Sequence, residues 1–87
     1  MADSTEAARF FAERVANEAV AQDHGHLPVS REGFVAEASW YRNGETLHFV
    51  LEAFGQECEL PLHPDGADAR EQIAQAVEEA LVGLRPA

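Results

Sequence analysis

Trp40-Tyr41-Arg42-Asn43-Gly44-Glu45-Thr46-Leu47-His48-Phe49 decides how this chain folds. Asn-Gly stands between two alternating runs, the strongest short signal for a β-hairpin. With Asn43 and Gly44 as the turn, Arg42 pairs with Glu45. Trp40 then faces Leu47, Ala38 faces Phe49, Ala36 faces Leu51 and Phe34 faces Ala53. Side chains alternate across a strand, so all eight fall on one face. A slip of one residue would scatter them over both faces.

Working outward, Phe54-Gly55-Gln56-Glu57 offers a second tight turn, with Gly55 where a type II′ turn requires glycine. That register sets Ala53 against Cys58, Leu51 against Leu60 and Phe49 against Leu62. The sequence therefore predicts a three-stranded antiparallel meander over about 33–42, 45–54 and 57–62. Pro61 lies in its third, edge strand, where a missing N–H is tolerated.

Helices flank the meander. Asp3 and Glu6 have capping-box spacing at the start of a run to about Gln22. Ala7, Phe11, Val15 and Ala19 recur every four residues, and Phe10, Ala8, Ala12 and Ala16 widen the stripe. Asp23-His24-Gly25-His26 reads as a helix-ending loop, with Gly25 in the left-handed conformation and Pro28 just beyond. After the turn-rich His63-Pro64-Asp65-Gly66, Asp68 and Glu71 open a second helix. Its stripe is Ile73, Ala76, Val77, Ala80, Leu81 and Leu84, and Gly83, Arg85 and Pro86 close it. The expected fold is a single α+β domain over 1–87, in the order α-β-β-β-α, with both helices on one face of the sheet.

Composition narrows the function. The chain has 87 residues, 16 acidic side chains, six basic ones and a net charge of −10. The basic residues are all arginines, and they are scattered. Direct binding to nucleic acid or an anionic membrane relies on clustered positive charge, so neither is expected. With Cys58 alone, no internal disulfide can form. The polar, acidic N-terminal stretch has no signal-peptide pattern, and a cytoplasmic location is the expectation.

Chemistry-bearing patterns are sparse. No phosphate loop or nucleophile elbow occurs, and no cofactor is expected. His24, His26 and His63 form the candidate metal set of an alternative reading, a small metal-binding or enzymatic protein. Their spacing matches no zinc pattern. Cys58 falls on the apolar face, where a thiol is inert.

The outer face is the better candidate. Glu52 and Glu59 are expected as direct cross-strand neighbours, with Glu37 diagonal to Glu52. Val35, Tyr41, Val50 and Phe54 make that face half apolar, which suits a basic protein partner. Glu37, Val50, Glu52, Phe54 and Glu59 are the candidate partner-binding residues of a non-catalytic protein–protein interaction module. An acidic secretion-chaperone-like or nucleic-acid-mimicking protein is a further alternative. The unprotected edge of the first strand, Val35 to Tyr41, offers a route to a homodimer.

The α-β-β-β-α order resembles the double-stranded-RNA-binding domain. Asp65-Gly66-Ala67-Asp68-Ala69-Arg70-Glu71 stands where that family carries its basic cluster, with the opposite sign, so the resemblance implies fold and no RNA contact. The Ala and Arg usage and the absence of Lys also resemble small proteins of GC-rich proteobacteria such as Burkholderia that carry a domain of unknown function. That likeness implies no activity.

Overall fold

A computed structural model describes residues 4–31 and 33–84. Helix α1 spans Ser4–Ala21. Four strands follow: β1 His24–Arg31, β2 Phe34–Asn43, β3 Thr46–Ala53 and β4 Gln56–Leu62. Helix α2 spans Ala69–Leu84. The strands form one antiparallel sheet in the order β1-β2-β3-β4. The α+β class holds, with one strand more than the expected α-β-β-β-α. The expected roles of Asp3, Arg85 and Pro86 lie outside the described residues.

The extra strand is the segment read as a helix-ending loop. Gly25 pairs with Trp40, Leu27 with Ala38 and Val29 with Ala36. Gly25 is not left-handed. It is glycine because the Trp40 ring lies over it: a Cβ there would sit 2.5 Å from Cζ2 of Trp40. The indole Nε1–H donates to the Gln22 carbonyl oxygen at 3.2 Å, just after α1. Pro28 is tolerated because β1 is an edge strand. The β2 edge proposed for a homodimer is therefore covered by β1.

Both hairpin registers differ from the expected ones by two residues. Gly44 and Glu45 form the first turn, so Asn43 pairs with Thr46, Trp40 with Phe49 and Ala38 with Leu51. Gly44 alone takes positive φ, at 66°, the pattern of a type II′ turn. In the second turn Phe54 and Gly55 both have positive φ, 55° and 75°, as a type I′ turn requires. Leu51 then pairs with Cys58, Phe49 with Leu60 and Leu47 with Leu62. This register gives Leu47 an apolar partner on β4, Leu62, and exchanges its expected β2 partner Trp40 for Arg42. An even slip preserves the faces, so the expected apolar face survives intact.

That face is covered by the two helices. Phe34, Ala36, Ala38, Trp40, Leu47, Phe49, Leu51 and Ala53 are buried with Phe11 and Val15 of α1 and Ile73, Val77 and Leu81 of α2. Ala8, Ala12, Ala16 and Ala19 are buried too. Their small side chains let α1 lie close to its neighbours. No polar or charged residue among those described is buried.

Candidate functional site

The outer face follows from the registers as rows across the sheet. One row runs His24, Tyr41, His48, Pro61. The next runs His26, Ser39, Val50, Glu59. A third runs Pro28, Glu37, Glu52, Glu57. The face thus has two unlike ends, one rich in histidine and aromatic surface and the other acidic.

At the acidic end, Glu37 and Glu52 are direct partners, and so are Glu52 and Glu57. This corrects the expected pairing of Glu52 with Glu59. Glu59 instead faces Val50. Glu52, Glu57 and Glu59 are exposed, and Glu37 and Val50 are half-buried. Like charges directly opposite one another destabilise a sheet. One member is relieved: Glu37 Oε1 meets His26 Nε2. Beside this row Val35 is 63% exposed.

Phe54 does not belong to the outer face. The left-handed turn breaks the alternation and turns its ring edge-on to Phe34, with centroids 5.7 Å apart. Phe34 meets Phe11 in the same way at 6.3 Å. Phe54 therefore continues a core aromatic line out to the turn.

At the other end, Tyr41 stacks on His48 with centroids 4.9 Å apart and planes within 12°. Tyr41 is 52% exposed. His24 and His26 share this face on β1, but His63 follows β4 at the opposite edge. Three strand spacings, about 14 Å, separate these edges. His63 Nε2 lies 3.0 Å from Thr46 Oγ1. The structure thus parts the candidate metal set. Among the described residues, no three His, Cys, Asp or Glu side chains are grouped to hold a metal.

Cys58 is half-buried on the helix side of β4. Burial first, and the Glu57 carboxylate second, push its thiol above the ordinary cysteine value. The thiolate, which is the reactive form, is disfavoured there.

A groove of about 500 Å³ lies at the acidic end, between the β1–β2 connection and the β3–β4 turn. Pro28, Val35, Glu37 and Glu52 line it together with Ala36 and Ala53. Ala36 and Ala53 are cross-strand partners, and Gly33 and Gly55 border them. A Cβ at Gly33 or at Gly55 would meet nothing within 4 Å, so the two connections leave open space here, and Val29 and Phe54 complete the lining. No residue of α1 or α2 among those described lines it. Sequence reading missed the groove because the covering strand β1 was missed.

Among the described residues, no helix is long and apolar enough to cross a membrane. Comparison with protein-family models, with curated proteins and with solved structures found no match.

Proposed function

We propose that this chain is a non-catalytic protein–protein interaction module that holds a basic partner on the outer face of its sheet. The observation that carries the reading is the row Glu37, Glu52, Glu57, flanked by Glu59 and by the exposed Val35. Such a row costs the isolated fold a little through repulsion, and a cationic partner removes that cost. The exposed apolar area beside it supplies surface that gains from burial. Glu37, Val50, Glu52 and Glu59 remain the binding residues of this reading, and Phe54 lines the groove beside Glu37 and Glu52. The metal-binding alternative loses its support with His63 at the far edge of the sheet.

Charge reversal tests it. Glu52→Lys with Glu59→Lys should abolish capture of a basic partner from the native cell. Glu13→Lys, on the exposed side of α1, should leave capture intact. Circular dichroism confirms that each variant is folded. Retention of the partner by the folded double variant removes the proposal.

A further inference from the structure

Resting on that reading, we propose that the groove at the acidic end of the sheet seats one arginine side chain presented by the basic partner. The stem lies along Pro28 and Val35, and the guanidinium lies between Glu37 and Glu52. Three features of the groove point to this occupant. Its size, about 500 Å³, falls within the range of ligand-binding clefts. It takes one long side chain with the backbone on either side. Its lining joins apolar surface to two carboxylates and includes no Arg, Lys or His among the described residues. A cation with a long apolar stem complements both parts at once.

Arginine fits better than lysine for a physical reason. The two carboxylates stand on adjacent strands as direct partners. A planar fork with five donors can address both, whereas an ammonium is a compact and more strongly hydrated point charge. Glu37 is already partnered by His26. The incoming guanidinium shares or replaces that contact, and Glu52 is open to it.

The experiment is a chemical-shift titration of the folded chain at low salt. The probe is acetylated and amidated Ala-Arg-Ala at millimolar concentration, with Ala-Lys-Ala and Ala-Gln-Ala as controls. The arginine peptide should move the amides of Val35, Glu37, Glu52 and Gly55. The lysine peptide should bind more weakly at the same place, and the glutamine peptide should move none of them. Glu37→Gln and Glu52→Gln should each weaken the arginine peptide about threefold, the scale of an exposed ion pair. Equal shifts from the arginine and glutamine peptides overturn the proposal. So does the absence of any shift. Shifts confined to Val50, Glu57 and Glu59 overturn the groove but leave the outer-face reading standing. Shifts spread evenly over the carboxylates of both helices overturn the groove and count against that reading as well.

Discussion

Among the glycines, Gly25 has the closest approach of a neighbouring side chain, the Trp40 ring. The indole occupies the space that any other side chain at 25 would need. It also makes a hydrogen bond to the carbonyl of Gln22. Gly25→Ala is therefore an overpacking substitution, expected to destabilise the fold by about 2 kcal/mol. Urea denaturation followed by tryptophan emission measures this. An unchanged midpoint would mean that the ring does not lie over residue 25. Phe54 is a second constraint of the same scale. A bulky residue at positive φ is strained, and here the edge-on contact with Phe34 offsets that strain. Asn43-Gly44 was the stronger turn signal by composition, yet Phe54-Gly55 forms the turn with two left-handed residues. Local preference yielded to the aromatic contact.

Among the elements, β2 and β3 are the centre of the sheet, and β1 and β4 are its edges. Both edges carry a proline, Pro28 and Pro61, and β4 adds exposed Glu57 and Glu59. These features discourage pairing with another chain. The central strands hold the fully buried Leu47, Phe49 and Leu51, while Leu27 and Val29 of β1 are only half-buried. Amide hydrogen exchange should follow that order. Amides from Ala36 to Trp40 and from Leu47 to Leu51 should exchange slowest, and those of the edge strands β1 and β4 faster. Equal protection in β1 and β3 would contradict this placement.

The helices and the two faces of the sheet were legible in the sequence because periodicity reports them directly. The registers were not, because a slip of two residues leaves every side chain on its face. The pairing of Glu52 was misread for that reason alone. β1 was illegible for another: Gly25 and Pro28 look like punctuation in a short segment. Its alternating Leu27 and Val29 were the signal that remained. The acidic outer face could be read from the chain, whereas the groove required β1 to be in place.

For the whole molecule, the net charge of −10 comes from acidic residues on the helices, in the connections (Asp23, Glu45, Asp65, Asp68) and at one end of the sheet. Some of it is matched locally: Arg9 Nε lies 3.5 Å from Glu78, and Arg42 Nε lies 3.1 Å from Asp23. The row on the sheet has less relief. Glu52→Gln should stabilise the fold by about 0.5 kcal/mol, the scale of a cross-strand like-charge pair. Added salt should shrink that difference by screening exposed charge. Thermal melts of both proteins at low and high salt measure it. A destabilised Glu52→Gln variant would mean that the row is not repulsive.

The chain has one tryptophan and one tyrosine, and they are neighbours in sequence. Alternation sends them to opposite sides of β2: Trp40 is sealed beneath the helices, and Tyr41 stands in solvent against His48. The protein thus carries two optical reporters with separate jobs. Emission from the indole follows whether the helices remain docked. The phenol's near-ultraviolet signal follows what happens at the histidine-rich end of the open face. The histidine-rich end of the open face and global unfolding can be watched in one cuvette, without any label.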